Sequence, residues 1–290
     1  MEQTVNVDPR IARAFKNANG WELEPNLLVL SNVGSISHGT QVLKNDPHDI
    51  DDVDIMGIVI PPSDQALGLG KWSSIKEGHW VWPNSNSELE KNAAQELDVV
   101  IYSVRKFTSL LRKSNPNVLG LLWIEPLLSD PLWEKWIANR KMFLSKHSYK
   151  AFAGYAYSQL MKLGHPSSRG YMGRERKALF QKYGFDPKNS SHLIRLLHMG
   201  IELLETGDLN VNRSEIDGEE LKAIKSGQWS LTKIQQEAEK GFAKLEAMLE
   251  TTTLPDEPDN AAIENLLLDT ILGKWRIGPE VQKNALERLL

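Results

Sequence analysis

Two short apolar runs with a polar stretch between them constrain the fold more than any other part of this chain. Residues 27–60 read LLVLSNVGSISHGTQVLKNDPHDIDDVDIMGIVI. The first run, Leu27 to Val33, stops at Gly34-Ser35, and the second, Val53 to Ile60, is closed by Pro61-Pro62. Runs this short, bounded by turn residues, predict buried strands. Side chains alternate along a strand, so Asp52 and Asp54 project together while Val53 and Ile55 point to the core. Paired carboxylates suit a hard cation such as Mg²⁺ or Mn²⁺, with substrate phosphates completing its shell. Gly34 and Ser35, placed after a strand, let a phosphate approach backbone N–H groups. Phosphate and metal sites are then expected side by side. The competing reading is a solvated acidic strand edge, since acidic pairs are common on surfaces.

A third run tips that balance. From Glu96 to Ser103 the pattern alternates, with Glu96, Asp98, Val100 and Tyr102 on one face and Leu97, Val99 and Ile101 on the other. A carboxylate from this strand can therefore join Asp52 and Asp54; Asp98 sits deeper in the apolar run than Glu96. Before these strands, residues 9–18 predict a helix with Pro9 in its first turn, expected to cover the sheet edge. Residues 34–51 read as a loop, or a short helix followed by a loop, and His79 to Trp82 as a short extra strand. After the third strand come a helix over 104–113, a turn at Ser114-Asn115-Pro116-Asn117, and a second helix running to Trp123. Beyond Pro126 and Pro131 almost everything predicts helix: 132–146, 148–163, 168–183, 188–206, 215–226, 230–250, 259–273 and 279–290. The expected architecture is α+β, a mixed sheet with flanking helices over 1–128, followed by an all-α helical domain over 129–290.

A chain of 290 residues accommodates two such domains. Its 41% hydrophobic and 25% charged content excludes a disordered polymer. No apolar run approaches the roughly 20 residues of a membrane span. The N-terminal MEQTVNVDPR lacks a signal peptide's apolar segment, so a soluble, cytoplasmic protein is expected. The absence of cysteine excludes disulfides, thiolate catalysis and cysteine-held zinc. A net charge of −4 provides no global basic footprint, so any contact with nucleic acid must be local.

One local concentration stands out: Lys162, Arg169, Arg174, Arg176, Lys177 and Lys182 against the single acid Glu175 within 162–182. It reads either as a polyanion site, with Arg169, Arg174, Arg176 and Lys177 holding an acceptor, or as a solvated helix. Tyr155, Tyr157, Tyr171 and Tyr183 near it are candidates for base stacking, though helix tyrosines are more often half-buried packing. On the 188–206 helix, Leu193, Leu196, Leu197, Ile201 and Leu204 make the core stripe. Arg195 and His198 share another face, one turn apart, where both can address phosphate. His38, His48 and Asp49 lack the helical spacing of a separate metal site and read as loop residues. The nine tryptophans read as core or domain-contact residues, with Trp80 and Trp82 as candidate exceptions on one strand face.

Gly34-Ser35, then Asp52-Val53-Asp54, then Glu96-Leu97-Asp98-Val99-Val100 occur in the order that marks the DNA polymerase β-like nucleotidyltransferase superfamily. More narrowly, the chain resembles its bacterial and phage branch of the YcgL type. GSISHGT, DDVDIMG, ELDVVIYSVRKFTSLLRKSNPNVLGLLW, FAGYAYSQL and HLIRLLHMGIELLETG carry that likeness over most of the chain. One departure is the spacer of 16 residues between Ser35 and Asp52, longer than in minimal members. The resemblance implies transfer of NMP from an NTP to a hydroxyl acceptor, an RNA end in first place, with release of pyrophosphate. In that scheme Asp52, Asp54 and Asp98 hold two Mg²⁺ or Mn²⁺ ions, and Gly34, Ser35, Thr40, Arg195 and His198 bind the nucleotide. The resemblance also favours Asp98 over Glu96, and gives His38-Gly39-Thr40 a part in shaping the phosphate loop. The rival readings are a nucleotide- or nucleic-acid-binding regulator without turnover, and an antitoxin-like nucleotidyltransferase acting on a protein.

Overall fold

The three apolar runs form the strands β1 (Leu27–Asn32), β2 (Val53–Val59) and β3 (Leu97–Ser103). A fourth, β4 (Leu128–Ser129), completes a sheet of order β3-β2-β1-β4. β1 is antiparallel to both neighbours, whereas β2 and β3 run parallel with Asp54 opposite Asp98. Parallel pairing requires a crossover rather than a hairpin; its first turn is α3 (Ser63–Leu67). The computed structural model describes residues 7–41, 53–67, 97–163 and 180–276. The expected strand at His79–Trp82, the basic segment before Phe180 and the helix over 279–290 lie outside those residues.

Both faces of the sheet are covered, which is why the strands read as continuous apolar runs. On one face Leu27, Leu30, Ile55, Val59, Val99 and Ile101 pack with Ile11 and Phe15 of α1 (Pro9–Asn19). The helix expected at the sheet edge therefore lies across a face, because those apolar side chains need cover. The opposite face places Leu28, Val29, Met56 and Ile58 in a larger core. A register shift between Leu27 and Val29 bulges β1, and such a bulge lets the adjacent Leu28 and Val29 join the same core.

The helices α2 (Gly34–Ser37), α4 (Val104–Leu111) and α5 (Pro116–Leu119) interleave with the strands. Ser103 caps α4, its Oγ accepting from Lys106 N at 3.1 Å. Then follow α6 (Trp133–Ala138), α7 (His147–Leu163), α8 (Pro187–Thr206), α9 (Gly218–Lys225), α10 (Leu231–Thr251) and α11 (Asn260–Arg276). The single helix expected over 132–146 is broken at Asn139, whose Nδ2 donates to Lys135 O at 2.8 Å. This side chain competes with the backbone ladder and closes α6.

All five residues of the expected core stripe on α8 are buried. Trp133 and Trp136 stack at 6.2 Å, and Trp136 Nε1 donates to Thr270 Oγ1 at 3.0 Å, tying α6 to α11. Trp275 Nε1 donates to Pro61 O at 3.1 Å, bringing the end of α11 to the end of β2. One hydrophobic cluster thus takes in side chains on both sides of residue 128, from Leu28 and Ile58 to Leu245 and Ile271. Among the described residues no helix is long and apolar enough to cross a membrane.

Candidate functional site

On the sheet face opposite α1, the alternation that buries Met56 and Ile58 ends at Asp54, and β3 places Asp98 beside it in register. The two carboxylates line a cavity of about 340 Å³, within the range of small-molecule sites. Its near wall is Gly34, Ser35, His38 and Thr40, and its far wall is Lys188, His192 and Arg195 of α8 with Lys225 of α9.

Gly34 opens α2 with φ +65°, and a Cβ there would meet Asp54 Oδ2 at 2.0 Å. Backbone conformation and carboxylate position each demand glycine. Val33 N donates to Asp54 O at 2.9 Å, which ties the start of the turn to the acidic strand. Thr40 is buried; its N donates to Ser35 O at 3.0 Å, and its carbonyl accepts from Lys225 Nζ at 3.4 Å.

Arg195 Nη1 donates to His38 Nε2, and His38 Nδ1 donates to Val211 O at 2.9 Å. A guanidinium has no acceptor, so Nε2 is bare and the ring is the neutral Nδ1–H tautomer. Burial and then the Arg195 charge hold His38 well below its ordinary value. Burial and then Arg213 bring Arg195 down to about 10, against the opposing pull of Asp217.

His198, one turn along α8, belongs to another network. Its Nδ1 donates to Asp217 Oδ2 at 2.6 Å, and Arg213 Nε and Nη2 reach the same carboxylate at 2.8 and 2.9 Å. Arg213, 2% exposed, also donates from Nη1 to Glu202 Oε2 at 2.6 Å. Burial pushes the Asp217 carboxyl up, but the hydrogen bonds from His198 and Arg213 prevail and hold it at about 2. The pair expected on one helix face is thereby split: Arg195 lines the cavity, while His198 braces the segment after Val211.

Asp52, Glu96, His48, Asp49 and the cluster Arg169, Arg174, Arg176 and Lys177 lie outside the described residues. Among the described residues no group of three His, Asp or Glu is placed to hold a metal ion. Asp54 and Asp98 nonetheless supply the hard oxygen donors that Mg²⁺ or Mn²⁺ takes, so the donor set fits in kind. His38 is committed to Arg195 and Val211, each through one ring nitrogen. Tyr155 OH accepts from Asn115 Nδ2 at 2.8 Å and Tyr183 OH donates to Ser226 O at 3.2 Å, so both are packing residues. Lys188, His192 and Lys225 went unnoticed in the sequence. The first two had a signal, because Lys188, His192 and Arg195 follow helical i, i+4, i+7 spacing; Lys225 had none.

A model of the RNA repair pathway DNA polymerase beta family matches residues 7–269. The uncharacterized 38.9 kDa protein in the nrdC-mobD intergenic region of Enterobacteria phage T4 is 30% identical over 147 residues, 49% of this chain and 40% of that protein. The chain thus matches less than half of that relative's length. A nucleotidyltransferase-like protein from Exiguobacterium sibiricum 255-15 is 12% identical, with a TM-score of 0.28 over 83% of this chain and 74% of that one. With the family match running from α1 into α11 and taking in both walls of the cavity, this chain belongs to the RNA repair pathway DNA polymerase beta family, within the DNA polymerase β-like nucleotidyltransferase superfamily.

Proposed function

We propose that this protein transfers a nucleoside monophosphate from an NTP to a hydroxyl acceptor, an RNA end, and releases pyrophosphate. One observation carries the reading: Asp54 and Asp98, side by side in register, line one cavity together with Lys188, Arg195, Lys225 and the Gly34-Ser35 turn. The carboxylates suit a divalent cation, and the cations suit a polyphosphate. The family's description as an RNA repair one supports RNA as the acceptor.

Asp52, Asp54 and Asp98 are the residues that would hold the two Mg²⁺ or Mn²⁺ ions. When bound, such ions neutralise the triphosphate and lower the pKa of the acceptor hydroxyl. Gly34 allows the β- and γ-phosphates close to the backbone, and the Ser35 hydroxyl donates to them. Lys188, Arg195 and Lys225 balance their charge, Thr40 supports the turn from behind, and His198 is left out of the set because Asp217 engages it. The acceptor oxygen bonds to the α-phosphorus as the bond to pyrophosphate breaks, and the hydroxyl proton leaves to solvent. The helical part, 129–290, selects the acceptor, with Arg169, Arg174, Arg176 and Lys177 holding its backbone.

Incubating the full chain with each α-phosphate-labelled NTP, Mg²⁺ or Mn²⁺, and RNA bearing a free terminal hydroxyl tests the reading. Label is expected in RNA, and Asp54→Asn or Asp98→Ala should lower the rate by about 100-fold or more. Melting temperature should hold, since either change relieves like-charge crowding. Variants that keep the wild-type rate would sink the mechanism, and label in a protein or metabolite would reassign the acceptor.

A further inference from the structure

The phosphate-side loop and the helical wall meet at one side chain. The His38 ring accepts from Arg195 and donates to Val211 O, while its own carbonyl accepts from Arg213 N at 2.9 Å. Arg213 is in turn locked by Asp217 and Glu202, so the imidazole is fixed from its backbone and from both ring nitrogens. Nη1 of Arg195 also lies 3.5 Å from Met199 Sδ, so this nitrogen is held by two partners in a side chain that lines the cavity.

We propose that His38 is a positioning residue: its bare Nε2 takes one N–H of Arg195 and so aims the guanidinium at the polyphosphate beside Gly34-Ser35. The role rests on reading the cavity as the NTP site. A neutral acceptor suits it better than a charged one. A carboxylate at this point would orient Arg195 and also cancel the charge the phosphate needs, whereas an ammonium would repel it. The charges acting on the ring are those of Arg195 and His192 from α8 and Arg213 from the segment before α9, all basic, while the acid Asp217 is engaged by Arg213 and His198, and Glu202 by Arg213. The neutral form is thus held by its neighbours as well as by burial.

The test is calorimetric titration of the full chain with inorganic tripolyphosphate, with melting curves to establish that each variant folds. In His38→Gln the amide carbonyl replaces Nε2 as the acceptor; in His38→Asn the amide N–H replaces Nδ1–H and Arg195 loses its acceptor. His38→Gln should bind within about 3-fold of wild type and His38→Asn roughly 10-fold more weakly. Adding His38→Asn to Arg195→Met should cost nothing beyond Arg195→Met alone, because the two act as one unit. Equal affinities for the Gln and Asn variants, or additive losses, overturn the proposal. Nitrogen NMR of wild type at neutral pH gives a readout free of any folding defect: a neutral Nδ1–H ring supports it, and an imidazolium or an Nε2–H ring refutes it. Full affinity in His38→Asn with transfer intact removes the positioning role and leaves the transferase reading standing. Loss of affinity in His38→Asn from a wild type that transfers nothing does the reverse, and a wild type that ignores tripolyphosphate overturns both.

Discussion

Asp217 shows how a residue remote from the chemistry can hold a site wall in place. Its side chain is 8% exposed and receives hydrogen bonds from His198 and twice from Arg213. The folded carboxyl sits at about 2, below its ordinary 3.8, so the folded state gives up this proton more readily than the unfolded chain. The resulting stability is fully present above the unfolded value and is lost as pH falls through the folded one, between about 4 and about 2. It amounts to about 2 kcal/mol. Urea titrations across that range should show the loss in wild type and a flatter pH dependence in Asp217→Asn. At neutral pH the same variant should be roughly 3 kcal/mol less stable, since Arg213 is left buried with Glu202 alone. An acid limb in Asp217→Asn as steep as that of wild type would place the titrating group elsewhere. At this scale the acidic motif was legible, because Asp54 and Asp98 sit on alternating strands whose apolar neighbours point the other way. The Arg213 cluster was not, since His198 and Glu202 of α8 meet Arg213 and Asp217 of the following segment only once the chain has turned back.

Among the elements, α8 carries most of the far wall and is itself held by glycine contacts. A Cβ on Gly200 would stand 2.9 Å from Phe152 Cβ of α7 and 3.1 Å from Leu245 Cδ1 of α10. Helix propensity alone would favour Gly200→Ala by about 1 kcal/mol. Overpacking costs about 1–3 kcal/mol, and Phe152 Cβ, one bond from the main chain, cannot swing aside, so the clash should win. A lower urea midpoint at unchanged slope is expected, with weaker transfer because Lys188, His192 and Arg195 ride on the same helix. A midpoint that rises would mean that α7 and α8 have room to separate. The helical period made α8 and α10 readable to within about two residues. α1 was readable as a helix but not in its place, because only the finished sheet shows which of its faces still needs cover.

For the molecule as a whole, an acidic chain needs a local cationic surface to hold the proposed RNA acceptor, and Arg169, Arg174, Arg176 and Lys177 are the proposed one. Reversing Arg174 and Arg176 to glutamate should weaken RNA binding and reduce the slope of log affinity against log salt by about 1 to 2, as expected for two lost phosphate contacts. Equal slopes would return the segment to a solvated helix and move the acceptor away from RNA. The chain alone determined β1, β2 and β3, the long helices α7, α8, α10 and α11, the order of Gly34-Ser35, Asp54 and Asp98, and the family those residues announce. Turn residues, alternation and helical period act over a few neighbours, so they are written in the chain itself. Only the tertiary structure decided that Asp54 and Asp98 stand in register, that Arg195 meets His38 across 157 residues, and that Lys225 reaches Thr40 while His198 turns to Asp217. Those meetings depend on how α8 packs between α7 and α10, where burial and charge pairing over long separations select partners that no local pattern marks.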